Sequence, residues 1–402
     1  MLTKKTMTSL LGAAAGAWLI FAPMAQAATY SDTGAAVLVW PRISVDADTD
    51  TVITLTNQSS NKVAAHCFYV NGNNRCTNTG EPCETSDTCV DDSGVFGQCR
   101  TGWIEVNFDV ILTPNQPVAW SAATGLSGNG VPCPGDRIGR PDNCPGSNSN
   151  AGTAVPPVGE TPFIGELKCI EADPVTRLPA PCQATLGHPC PNDLEGTATL
   201  TSVDAQGIID TQEYNAVGLR TTGFNDGNNV LVIGGNGTGP AAAEYQPCSE
   251  VLILNHLFDG AVDPISGDDA RSELSLVPCT EDFLTQTVPT VTAQFLVYNE
   301  FEQRFSTSRS VNCLLTSQIS LLDTTQPTRS IFSVGTAGTV AGQTRITGVN
   351  GGLIGSATLN LCAAGLDPTG GCLPSTGTSE KGAAYNLNQF ADRSQADFIR
   401  VP

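Results

Sequence analysis

Histidine, positive charge and long apolar runs are all scarce in this chain. Three histidines, His66, His188 and His256, among 402 residues leave a His-rich metal centre without ligands. No Cys-x-x-Cys pair stands in for them, so zinc-type and haem-attachment motifs are missing as well. Nineteen Lys and Arg face 39 Asp and Glu, a formal net charge of −20. A chain this acidic repels phosphate backbones and anionic lipid, which argues against nucleic-acid partners and against a basic membrane-binding patch. No G-x-S-x-G, H-E-x-x-H or G-x-x-x-x-G-K-[ST] run occurs. Ser59-Ser60-Asn61-Lys62 matches a bare S-x-x-K, but it falls in a polar turn and lacks the supporting elements of that chemistry. The absences together point away from an enzyme and from a bound cofactor.

The one pronounced apolar run is at the N-terminus. Lys4 and Lys5 precede Leu10–Ala22, and Ala25-Gln26-Ala27 is an A-x-A cleavage signal, so residues 1–27 read as a secretory signal peptide. Beyond them no segment reaches the roughly 18–20 apolar residues that span a bilayer. The expected product is secreted, in the extracellular space, at the cell surface or in the periplasm, with no integral membrane segment after cleavage.

Fifteen cysteines lie beyond the signal, and an exported chain meets an oxidising compartment, so most are expected as disulfides. β-Branched and aromatic residues occur in short runs separated by Gly, Pro, Asn and Ser: Val37–Trp40, Val52–Asn57, Val63–Val70, Trp103–Leu112 and Pro117–Trp120. These are strand signals. Helical spacing is weak and confined to Asp268–Leu274 and the region of Asn386–Asp392.

A seven-residue stretch organises the rest. Leu194-Glu195-Gly196-Thr197-Ala198-Thr199-Leu200 returns as Leu353-Ile354-Gly355-Ser356-Ala357-Thr358-Leu359. Weaker matches fall in the same order. Leu38–Pro41 is set against Leu274–Pro278, and Phe68–Val70 against Phe295–Val297. Ile111–Pro117 is set against Leu321–Pro327, and Gly159–Gly165 against Gly342–Gly348. Tyr214-Asn215 then matches Tyr385-Asn386, and Val230–Ile233 matches Phe398–Val401. The strand pattern resembles immunoglobulin-like domains. The expected fold is all-β, with two tandem, duplicated, immunoglobulin-like β-sandwich domains. They occupy residues 28–255 and 272–402, joined by a linker at 256–271, and the first carries Cys-rich insertions at about 72–101, 127–158 and 168–192.

Long loops bury too little apolar surface to order themselves, so local disulfides are expected to staple them. The candidates are Cys133–Cys144, Cys182–Cys190, Cys362–Cys372 and two bridges among Cys76, Cys83, Cys89 and Cys99. That four-cysteine loop resembles, in spacing only, small Cys-rich modules of exported bacterial proteins. Nearer the strands, Cys169–Cys248 and Cys279–Cys313 are expected, leaving Cys67 on a core face as the free thiol.

Asp46, Asp48 and Asp50 alternate as calcium-loop carboxylates do, but Thr51 and Asn57 stand where a helix-loop-helix site needs Gly and Glu. Ca²⁺ there is a candidate, against an acidic turn leading into a strand. Glu105, Asp109, Glu166 and Glu171 lie on or near strands where a carboxylate pair would serve glycoside hydrolysis. Trp103, Trp120, Tyr69 and Phe68 would either stack on sugars or fill a core. The leading expectation is a non-catalytic structural or interaction protein with a protein or glycan surface partner, self-association included. The alternatives are a carbohydrate-binding or glycan-degrading protein and a calcium-dependent adhesin.

Overall fold

The computed structural model describes residues 33–72, 74–79, 83, 89–91, 93–126, 154–187, 189–203, 207, 209–237, 242–323, 330–362 and 381–402. It is 58% strand with almost no helix. Among the described residues no helix is long and apolar enough to cross a membrane. The first half supplies β1 (Val37–Val45), β2 (Thr49–Asn57), β3 (Val63–Asn71), β4 (Asn74–Cys76), β5 (Cys99–Thr101), β6 (Glu105–Leu112) and β7 (Pro117–Ser121). It continues with β8 (Phe163–Ala172), β9 (Cys182–Gln183), β10 (Leu194–Val203), β11 (Ile209–Asn215), β12 (Val217–Leu219), β13 (Phe224–Asn225) and β14 (Val230–Ile233). The second half supplies β15 (Ser249–Leu257), β16 (Asp269–Pro278), β17 (Glu281–Asp282), β18 (Thr290–Asn299), β19 (Arg304–Asn312) and β20 (Leu315–Gln318). It ends with β21 (Ala341–Gly348), β22 (Leu353–Cys362), β23 (Lys381–Asn386), β24 (Asn388–Asp392) and β25 (Asp397–Arg400). Asp268–Leu274 and Asn386–Asp392, where helical spacing was weakly present, lie largely in strands β16, β23 and β24.

Two sheets have five strands, β12-β1-β8-β3-β6 and β19-β18-β21-β15-β24. Two have four, β11-β10-β2-β7 and β20-β16-β22-β23. A three-stranded sheet, β14-β25-β17, takes one strand from the first half and two from the second. Nine strands of the first half (β1, β2, β3, β6, β7, β8, β10, β11, β12) map in chain order onto nine of the second (β15, β16, β18, β19, β20, β21, β22, β23, β24). Both sheet orders are reproduced under that map. The repeated heptapeptides begin β10 and β22, the equivalent strands. Their shared glycine has a shared cause: a Cβ on Gly196 would stand 2.3 Å from Cζ2 of Trp40, and one on Gly355 would stand 2.7 Å from Cδ2 of Leu276. In each half a large apolar side chain lies flat on the strand where the glycine leaves room.

Pro41 interrupts the strand-forming run of β1, which is flanked on both sides by β12 and β8. It has no N–H to donate, and the register with β8 shifts between Trp40 and Ile43, a bulge that absorbs the missing bond.

The arrangement corrects the expectation of two tandem immunoglobulin-like sandwiches. Five small sheets sit in a ring resembling a five-bladed β-propeller. The first five-stranded sheet meets the first four-stranded sheet across a core holding Trp40, Ile53, Leu55, Tyr69 and Leu167. That four-stranded sheet meets its counterpart through β11 and β23, where Gln212 donates to Asn360 at 2.8 Å and Asn386 to the carbonyl of Asn215 at 2.7 Å. The second four- and five-stranded sheets share a core of Leu254, Leu276, Phe295, Phe332 and Ile346. The three-stranded sheet closes the ring. The reason is legible in the first five-stranded sheet, whose second face carries Val37, Val39, Phe68, Val70 and Ile170. A free-standing sandwich would expose that apolar face to water. Here it packs on Leu231, Ile233, Val277, Phe283 and Ile399. The segment 256–271 contains the end of β15 and the start of β16, and β15 pairs with β21 and β24 of the second half. Lys168–Ala172, at the start of the third expected insertion, belong to the sheet strand β8.

Candidate functional site at the seam between the halves

Strand β8 explains the site. Its neighbours β1 and β3 hold it inside the sheet, and both its faces are covered. Alternation sends Leu167 and Cys169 into the first core, while Glu166, Lys168 and Ile170 share the opposite face with Val39, Phe68 and Val70. Glu166 and Lys168 are therefore carried, two residues apart, into the apolar layer between the halves. Lys168 is wholly buried and Glu166 is 1% exposed. Charges there need partners. Lys168 Nζ lies 3.0 Å from Glu166 Oε2, 2.6 Å from Oε2 of Glu281 on β17, and donates to the carbonyl oxygen of Pro278 at 2.9 Å.

The electrostatics of this trio are set by one cation facing two carboxyls. Burial, then the charge of Glu281, holds Glu166 well above the usual carboxylate range. Burial opposes the charge on Lys168, but Glu166 and Glu281 outweigh it and hold the ammonium above its ordinary range. The surroundings thus favour a proton on Glu166, beside the close contact of Lys168 with Glu281. Nearby, burial pushes Glu105 up to about 7, opposed by the indole N–H of Trp103 and reinforced by Glu281. Cys313 is 1% exposed, and burial together with the two glutamates raises its thiol. A ring stack runs alongside, from His66 through Phe68 to Phe283, with Trp103 edge-on to Phe283.

A second feature of the seam opens to solvent. A polar cleft of about 390 Å³ is lined by Arg42, Asp46, Asp50, Asp210, Gln212, Arg271, Glu273 and Asn360, among others. Arg42 Nη1 and Glu273 Oε2, from opposite halves, pair at 2.6 Å. Burial works against the charge of Glu273, but Arg42 and Arg271 hold it below the usual carboxylate range.

The acidic triplet does not converge. Asp46 Oδ1 accepts from the backbone N–H groups of Asp48 and Thr49, which shapes the turn between β1 and β2. Asp50 accepts from the N–H groups of Thr51 and Ala123 and from the Ser121 hydroxyl. Asp48 is exposed. Among the described residues the clusters dense enough to hold a metal are Cys76, Cys83 and Cys89, and Cys248, Cys279 and Asp397. Their cysteines are oxidised as Cys76–Cys89, Cys83–Cys99 and Cys248–Cys279.

The cysteine reading needs correction near the strands. Cys67 is not the free thiol: it lies directly opposite Cys169 on neighbouring strands, with Cα atoms 4.0 Å apart, and the two are bonded. Cys248 pairs with Cys279 in place of the expected Cys169–Cys248 and Cys279–Cys313. The free cysteine among the described residues is Cys313, and it is buried. A thiol buried there is not presented to a second molecule. Cys182 and Cys190 are bonded. Cys362 is disulfide-bonded, while Cys133, Cys144 and Cys372 lie outside the described residues, as does His188.

The aromatic residues considered for sugar stacking mostly fill cores. Trp120 donates to the Tyr69 hydroxyl at 2.6 Å, with both rings buried, and Phe68 is covered by Phe283. Lys168 and Glu281 escaped the sequence reading. The available signal was the pair Glu166 and Lys168 inside the strongly apolar FIGELKCIEA, a strand whose two faces both read as buried. No protein-family model matches the chain, and no curated protein matches it.

Proposed function

We propose that the protein is an exported, non-catalytic structural or interaction protein of the cell surface or extracellular space. The observation that supports this reading is the seam. Two repeat-related halves share a sheet, an apolar core and a buried ion cluster, which makes one stiff body. Stapled loops stand on that body, as recognition loops stand on rigid scaffolds. The edge strand β19 offers a route for association. Among the described residues it pairs on one side only, with β18, and presents Arg304, Ser306 and Ser308 outward. Such an edge accepts an added strand from a protein partner or a second copy.

The test is size by light scattering on the natively exported protein, with and without reductant. Assembly or partner capture insensitive to reductant supports the reading, because Cys313 is buried. Release of reducing sugar from glycans by the pure protein would refute it.

The polar cleft favours a second reading, carbohydrate binding, since guanidinium, amide, hydroxyl and carboxylate groups from both halves line one recess. Glycan binding abolished by Arg271→Ala would support that reading, and unaltered binding would exclude the cleft.

A further inference from the structure

We propose that Lys168 and Glu281 are joined by an isopeptide bond between Nζ and Cδ, with Glu166 as the proton carrier, tying the two halves together covalently. The first ground is the contact. Nζ lies 2.6 Å from Oε2 of Glu281 and 3.0 Å from Oε2 of Glu166, so one amine touches both carboxyl groups. The second ground is the surroundings. Lys168 and Glu281 are inaccessible to water, and the layer around them is built from Val39, Phe68, Val70, Val277, Phe283 and Ile354. No water competes for the proton in this dry layer, so its transfer from ammonium to carboxylate within the contact supplies the neutral amine and neutral acid that condensation needs. The layer also keeps the two groups in contact while excluding the water that would reverse the reaction.

The chemistry balances without an oxidant or a cofactor. Lys168 gives one proton to Glu281, and the amine lone pair attacks Cδ. In the tetrahedral intermediate one oxygen of Glu166 takes a second proton from nitrogen while its own acid proton passes to the departing hydroxyl. The C–N bond forms, the C–O bond breaks, one water leaves and Glu166 ends protonated as it began. The nitrogen keeps one hydrogen, and the Pro278 carbonyl, already 2.9 Å away, accepts it in the product.

The experiment is the intact mass of the full exported chain after complete reduction, followed by peptide mapping. The expected mass is one water below that of the reduced chain, with a branched peptide linking Lys168 to Glu281. A mass equal to that of the reduced chain overturns the proposal. So does a water loss that maps elsewhere, or recovery of Lys168 as a free amine after denaturation. Glu166→Gln keeps both reacting groups and should leave much of the protein uncondensed. Full condensation in that variant would overturn the role given to Glu166. Lys168→Arg should show no water loss; should it fail to fold, the wild-type mass still decides. Neither result bears on whether the protein binds a surface partner, which is read from association and not from mass.

Discussion

Replacing Glu171 by Gln should raise stability at alkaline pH and leave it nearly unchanged in mild acid. Glu171 sits near the end of β8, 2% exposed, with Oε2 accepting the backbone N–H of Asp193 at 2.9 Å. Burial, opposed by that hydrogen bond, pushes its carboxyl up to about 8 from an ordinary 4.5. The folded protein therefore holds a proton on Glu171 that the unfolded chain gives up. For an acid whose folded pKa is raised, stability is complete below the unfolded value and is lost as pH climbs toward the folded one. The loss is about 1.4 kcal/mol per pH unit, or roughly 3–4 kcal/mol between pH 5 and pH 8. Gln presents the same acceptor to Asp193 and does not titrate. Burial lowers His256 to about 4 and so works in the opposite sense in acid, but it is common to both proteins and cancels in their difference. The assay is denaturant unfolding of both proteins at pH 5, 6, 7 and 8 with disulfides intact. A stability difference that stays constant across that range would refute the reasoning.

Three further outcomes are expected. Removing Cys67–Cys169, which spans 102 residues, should cost about 5 kcal/mol, against about 2–3 kcal/mol for a bridge as short as Cys182–Cys190, as measured by denaturant midpoints of the double alanine variants. Iodoacetamide without reductant should label Cys313 only after denaturation and Cys67 not at all, which mass mapping of the alkylated peptides will check. Gly196→Ala should lower the melting temperature more than Gly355→Ala. Both Cβ atoms meet a backbone carbonyl, Thr54 at 2.6 Å and Ser275 at 2.9 Å, but the first also meets the rigid Trp40 ring at 2.3 Å and the second only flexible leucine ends. The expected loss for the first is about 1–3 kcal/mol.

Strands were legible because their signal is local. The heptapeptides, Phe68–Val70 with Phe295–Val297, and Tyr214-Asn215 with Tyr385-Asn386 all fall on strands equivalent under the internal repeat. Setting Leu38–Pro41 against Leu274–Pro278 went astray, because an apolar run ending in proline occurs in β1 and β16, which occupy different places in their sheets. Ring closure was invisible for a different reason. Val230–Ile233 and Phe398–Val401 were recognisable as equivalent terminal runs, but nothing in either says that β14 and β25 pair with each other. The cysteine partners failed likewise. Cys67 does face the core, yet which cysteine stands opposite depends on a register between strands about a hundred residues apart. Lys168 was missed because a charge in a strand ordinarily marks a solvent face, and β8 has none.

The shared three-stranded sheet also sets the order of events in folding. Strand β14 waits for a partner more than 160 residues further along the chain, and until that partner arrives Val37, Val39, Phe68 and Val70 lack the cover of Val277, Phe283 and Ile399. So high a contact order makes the final closure slow and leaves an adhesive intermediate exposed meanwhile. A chain that has made only its first half keeps part of that apolar face open to water, and a shield over it is needed until β25 has followed.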